Sequence, residues 1–118
     1  MTTSPRISTR QEDGVTVIRF NDHHLFDERT VRDVADQVTA ALPTDGKPIR
    51  LILDFAGVEL ISSSLLSKLI MLQRRIDGTG GKLRICELSG ILQSVFRTSN
   101  LDRLFGIDRD VRASLRMY

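Results

Sequence analysis

Ser62, Ser63 and Ser64 stand in a row between two apolar pairs, Leu60-Ile61 and Leu65-Leu66. A hydroxyl is a weak hydrophobe and a poor mid-helix group, so a triplet where an apolar segment begins points to two uses. One is capping, in which a seryl oxygen accepts a free amide of the first helical turn. The other is modification. A phosphoserine brings close to two negative charges, and a helix N-terminus offers unpaired amides and the positive end of its dipole. One serine suffices for a cap. Three leave hydroxyls over.

The other chemically capable residues form weaker sets. His23 and His24 are adjacent in what reads as a loop, and no second histidine or cysteine group lies near enough to complete a metal site. No Gly-x-Ser-x-Gly elbow is present, and nothing pairs a histidine with a serine. Asp54 and Glu59 suggest an acid–base pair, yet Asp54 falls at a strand end, where backbone amides satisfy it. "GTGGK" (78–82) follows a helix and opens a strand, the reverse of a phosphate-binding loop, and reads as a helix stop. A ligand cleft near Asp27, Asp54 and the serines lacks an activated nucleophile and any cofactor motif. These residues predict a protein that is not an enzyme and uses no metal or cofactor.

The elements that must position the serines follow from periodicity. "ISTRQE" (7–12) and "VTVIRF" (15–20) are β-prone runs joined by Asp13-Gly14, a strong hairpin signal. In the second run Val15, Val17 and Arg19 share one side, and Thr16, Ile18 and Phe20 the other. Both sides carry apolar groups, so both need cover. "NDHHLF" (21–26) reads as a polar connection, and Asp27 as the N-cap of a helix. That helix carries a stripe of Val31, Val34, Ala35, Val38, Ala41 and Leu42 and ends at Pro43. "IRLILDF" (49–55) is a central strand, and "AGVEL" (56–60) turns the chain into the serines.

The helix after the serines buries Leu65, Leu69, Leu72 and Ile76, widened by Leu66 and Ile70. Its predicted exposed positions are Lys68, Gln73, Arg74 and Arg75. "KLRICEL" (82–88) is the next strand, parallel to the previous one through a right-handed crossover. Ser89 caps a further helix with Ile91, Leu92, Val95 and Phe96 as its apolar positions. "LDRLFGI" (101–107) holds a short strand, and Asp108 caps a last helix with Val111, Leu115 and Tyr118 on one side. The predicted fold class is α/β: one domain with a mixed four- to five-stranded sheet and about four helices packed on it. Residues 1–5 read as a flexible terminus and 6–118 as the domain.

Composition excludes several classes. The 118 residues are 41% hydrophobic and 27% charged, the balance of a folded domain rather than a disordered chain. The formal net charge is +2, with arginines scattered along several elements, so direct nucleic-acid binding is not expected. No apolar run approaches bilayer length and none stands at the start, so neither membrane insertion nor a signal peptide is expected. The single cysteine, Cys86, lies in a strand and reads as a buried inert thiol. The expected compartment is a reducing cytoplasm.

The segment "LILDFAGVELISSSLLSKLIMLQRRIDGTGGKLRICELSGILQSVFRTSNLDRLF" resembles the STAS domain, the fold of bacterial anti-sigma factor antagonists. Leu53-Asp54 matches the family's strand end, Gly57-Val58 its turn and Gly80-Gly81 its glycine loop. Ser99-Asn100-Leu101 stands where the family has Ser-Gly-Leu. "LFDERTV" resembles the family's helix opening, with Asp27 as the matching acid. The resemblance spans nearly the whole chain, through the order and spacing of its motifs.

It implies a regulator that binds an anti-sigma factor, itself a serine kinase of the GHKL ATPase type, and so frees a sigma factor to control transcription. The kinase phosphorylates the antagonist and breaks the complex, and a PPM-type phosphatase restores it. The resemblance places phosphorylation at Ser63, with Ser62 and Ser64 as alternates. It places partner binding at Asp27, Gly57, Ser62, Ser63, Ser64, Leu65 and Lys68. Two positions depart from the family's Asp-Ser-Ser-Gly: Ser62 replaces the acid and Leu65 the glycine. The resemblance also offers an unphosphorylated interaction subunit, as in lipid-transport complexes and anion transporters.

Overall fold

The computed structural model describes residues 5–118. The flexible terminus expected at residues 1–5 lies, but for Pro5, outside the described residues.

Strands β1 (Ile7–Glu12) and β2 (Val15–Phe20) form the expected hairpin. Asp13 and Gly14 both take positive φ, 53° and 79°, the twist that a two-residue turn between right-twisted strands requires. β3 (His24–Leu25) leads into α1 (Glu28–Ala41), and β4 (Arg50–Asp54) follows. β5 (Leu60–Ile61), α2 (Ser63–Gly78) and β6 (Lys82–Cys86) come next. The chain ends with α3 (Gly90–Thr98), a 3-10 turn at Leu101–Arg103, β7 (Gly106–Asp108) and α4 (Val111–Leu115).

The main sheet runs β1-β2-β4-β6-β7. Only β1 is antiparallel to its neighbour, which makes the sheet mixed, as predicted. β4-α2-β6 is the predicted parallel crossover unit.

Alternation along β4 divides the core. Leu51 and Leu53 face α1, α2 and α3 in one large cluster. Ile52 faces the other way and joins Val15, Val17 and Cys86 beneath Val111, Leu115 and Tyr118. The small helix α4 therefore supplies the second cover that the two-faced apolar pattern of β2 demanded. On the large side, Phe20, Phe55, Phe96 and Phe105 form a chain of ring contacts with centroids 4.8, 6.5 and 6.0 Å apart.

Four expectations are corrected. First, the presumed connection at 21–26 and turn at 56–60 contain a two-stranded parallel ribbon, β3 with β5. Two paired residues on each side are too few for an alternating pattern to register. Second, Gln73 is buried, because it lies one turn beyond Leu69 on the face turned to the sheet; its Nε2 donates to Asp77 Oδ1 at 3.3 Å. Third, Ile91 is 70% exposed, in the first turn of α3, while Leu92 and Phe96 carry that helix's buried face. Fourth, Asp108 does not cap α4. Asp110 does, accepting from the Ala113 amide at 2.8 Å. Asp108 is held in β7 by Arg84, at 2.5 and 3.0 Å, and by the Ser114 hydroxyl at 2.7 Å.

Candidate functional site: the head of helix α2

The β3–β5 ribbon brings the serines beside the start of α1. The Glu59 amide donates to the His23 carbonyl at 2.7 Å, and the Ser62 amide to the Leu25 carbonyl at 3.0 Å. Two residues on from Leu25 is Asp27, whose Oδ2 accepts from the Thr30 amide at 3.0 Å. Backbone and side-chain hydrogen bonds from Thr30 hold the Asp27 carboxyl below its ordinary pKa. The ribbon thus sets the two helix N-termini side by side.

A second clasp fixes the turn before the serines. His23 Nδ1–H donates to the Gly57 carbonyl at 2.8 Å. Gly57 has φ +83°, a conformation that a side chain would strain. His24 engages a different partner, with Nε2 at 3.3 Å from Glu59 Oε2. Asp54 is buried and accepts from the Ala56 amide at 2.9 Å, whereas Glu59 is exposed, so the two carboxyls occupy separate environments.

The three serines are not equivalent. Ser62 is the N-cap: its backbone is extended, and its Oγ accepts from the Leu65 amide at 3.1 Å. Its carbonyl also accepts from the Leu66 amide at 3.2 Å. Ser63 and Ser64 are exposed in the first turn. Among the described residues their amides meet no protein acceptor, and their hydroxyls make no hydrogen bond to the protein. An anion carried on this turn meets free amides and the positive dipole end of a 16-residue helix.

Leu65 lies apart from this surface. It is 2% exposed and packs in the main core, because it falls on the face of α2 turned to the sheet. A partner that docks here meets its neighbours, not Leu65. Lys68 is half-buried one turn further along, beside α1.

Two exposed apolar residues join the site that sequence reading missed. Phe26 is 55% exposed between Leu25 and the Asp27 cap, and Leu60 is 43% exposed on β5. Their signal in the sequence was weak, because each stands in an apolar pair, Leu25-Phe26 or Leu60-Ile61, whose other member is the buried one. Only the ribbon, a long-range pairing, brings these two segments together.

Residues 8–107 match the family model described as Mlab, STAS domain. The chain belongs to the STAS domain family. This STAS domain is similar to an anti-sigma-factor antagonist (STAS) domain protein from Planctomyces limnophilus, with 26% identity and a TM-score of 0.83. That likeness covers 95% of this chain and 97% of the other. An anti-sigma factor antagonist from Mycobacterium paratuberculosis shares the fold at 19% identity and a TM-score of 0.80, over 94% of this chain and 91% of that one. The Bacillus cell fate determinant SpoIIAA, in its phosphorylated form, shares it at 18% identity and a TM-score of 0.66, over 95% and 99% of the two chains. No match was found among the curated proteins. Among the described residues of this STAS domain, no helix is long and apolar enough to cross a membrane.

Proposed function

We propose that this STAS domain is an anti-sigma factor antagonist, a cytoplasmic, non-enzymatic regulator of transcription switched by phosphorylation of Ser63. Its partner is an anti-sigma factor that is also a serine kinase of the GHKL ATPase type, and a PPM-type phosphatase reverses the mark. The observation that carries this reading is the division of labour among the serines. Ser62 is committed to the cap, while the Ser63 hydroxyl is free and exposed on a turn with unpaired amides. The helix tolerates a phosphate there without unfolding.

The partner surface is the exposed rim of the ribbon and the first turn of α2. Phe26 and Leu60 supply apolar contacts around Asp27, Gly57, Ser63 and Ser64. Close to two negative charges in the middle of such a surface must lose solvation when a partner covers them, which favours release. The test is a titration with the partner kinase. Ser63→Ala is expected to bind as the unmodified chain does, and Ser63→Asp at least tenfold more weakly. Equal affinities contradict the switch.

A second reading is a constitutive interaction subunit of a transporter, with the serines only capping. Ser62 favours it, because a hydroxyl replaces the acid that precedes the modified serine in the antagonist motif. A pull-down that recovers transporter subunits and no ATPase-type kinase selects this reading.

A further inference from the structure

We propose that strand β1 is a surface for self-association: two copies of this chain pair their β1 edges antiparallel about a two-fold axis at Thr9. β1 is one edge of the main sheet, bonded only to β2. Its pairing with β2 fixes which way each main-chain group points. The Asn21 amide donates to the Arg6 carbonyl at 2.8 Å, so Arg6 and Asn21 form a hydrogen-bonded pair. Such pairs alternate along an antiparallel ladder. Ser8, Arg10 and Glu12 therefore also turn their N–H and C=O groups to β2. Ile7, Thr9 and Gln11 turn theirs outward, and among the described residues no donor or acceptor of the chain meets them.

Folded proteins usually guard such an edge with a proline, a lysine, a bulge or a covering segment. Residues 7–12 contain no proline and no lysine, the register against β2 runs without a bulge, and Ser8, Thr9, Arg10 and Gln11 are exposed. Pro5, which has no N–H, stands at the next outward position and ends the edge.

The charges along the strand select a second copy as the occupant, and one register. With the axis at Thr9, Ile7 faces Gln11 of the second copy and Thr9 faces Thr9, so outward groups meet along the whole strand. Arg6 then stands opposite Glu12 of the second copy, and Arg10 opposite Ser8. Opposite charges and paired threonines both favour an antiparallel pair. The neighbouring two-fold registers lose this. An axis at Ser8 sets Arg10 opposite Arg6, and an axis at Arg10 sets Arg10 opposite itself, like charges in both cases. An axis at Gln11 runs the pairing into the Asp13-Gly14 turn. The pairing is short, below the roughly 1,200 Å² of stable complexes, so the dimer is weak, with a dissociation constant on the order of 0.1 mM. The inference does not rest on phosphorylation at Ser63, because β1 takes no part in the head of α2.

Sedimentation equilibrium of the full chain from about 10 µM to about 1 mM tests the proposal. The mass should rise from 13.3 kDa toward twice that value. Thr9→Pro removes an outward N–H at the axis, where an edge strand accepts proline. It should keep the far-UV spectrum and stay monomeric throughout. Glu12→Arg sets a like charge opposite Arg6 of the second copy and should weaken association about tenfold, since the axis repeats the loss. Cysteine variants then test the register. Cα atoms of a hydrogen-bonded pair lie about 5.5 Å apart, within the disulfide range of about 4.4–6.8 Å, so mild oxidation should link Thr9→Cys into dimers. Gln11→Cys, roughly 14 Å from its own copy in this register, should stay monomeric under the same oxidation. So should the parent, whose Cys86 is buried. A monomer mass at every concentration, association of Thr9→Pro equal to the parent's, or equal crosslinking of the two cysteine variants overturns the proposal.

Discussion

The Ser62 hydroxyl accepts the Leu65 amide at 3.1 Å, and this one hydrogen bond separates the roles of the three serines. With Ser62 fixed as the cap, Ser63 becomes the first residue of α2, exposed and free to be modified. Ser62→Ala should therefore destabilise the domain by about 1 kcal/mol in urea denaturation, the usual loss for a cap. Ser63→Ala should stay within about 0.5 kcal/mol of the parent, as surface changes do. Equal losses from both would contradict the assignment.

Asp27 caps α1 as a charged group, and its pKa is lowered by the Thr30 hydrogen bonds. A depressed carboxyl stabilises the fold above its unfolded pKa, and that contribution is lost as pH falls through the folded value. Asp27→Ala should therefore be less stable than the parent at pH 7. The difference should shrink steadily as pH is lowered below about 4. Paired denaturation curves across this range provide the check, and a difference that grows on acidification contradicts the account.

The Arg84–Asp108–Ser114 network ties β6, β7 and α4 together. Burial pushes the Asp108 pKa up, but hydrogen bonds from Arg84 and Ser114 together outweigh it and leave the carboxyl lowered. Asp108→Ala strands the Arg84 guanidinium, which is only 15% exposed. We expect a loss of about 2–3 kcal/mol by chemical denaturation.

Cys86 lies under α4, and burial raises its thiol pKa to about 12. It should not react with a thiol reagent at pH 8 in the folded protein, and should react at once in denaturant. Prompt reaction in the native state would show that α4 opens.

Much of this architecture was legible in the sequence, for physical reasons that also explain the failures. Long apolar stripes placed α1 and α2, and the two-faced apolar pattern of β2 and β4 announced a sheet covered on both sides. Asp27 and Ser89 were readable as caps because a short polar side chain sits just before a periodic run. Asp108 and Asp110 were confused because both precede the same short helix, and only the position of Arg84 decides between them. The ribbon that joins His24 and Leu25 to Leu60 and Ile61 was not legible, since two-residue strands have no period. The site depended on that ribbon. The serines could be found from the sequence alone, and so could the burial of Leu65, but not their neighbours Phe26 and Leu60.

Gly81 is a case in which structure supplies the reason for a motif. A Cβ there would overlap the Ile49 backbone, which crosses directly against the loop between α2 and β6. Gly81→Ala should cost about 3 kcal/mol in thermal or urea unfolding. Gly78→Ala, with nothing near its Cβ position and an ordinary φ, should cost far less.

We propose Ser63 as the switch. Its most direct test is to incubate the chain with its partner kinase and ATP and to map phosphate by tandem mass spectrometry. One phosphate is expected, on Ser63, and is lost in Ser63→Ala. A kinase that is active on another substrate and leaves Ser62, Ser63 and Ser64 all unmodified would contradict it.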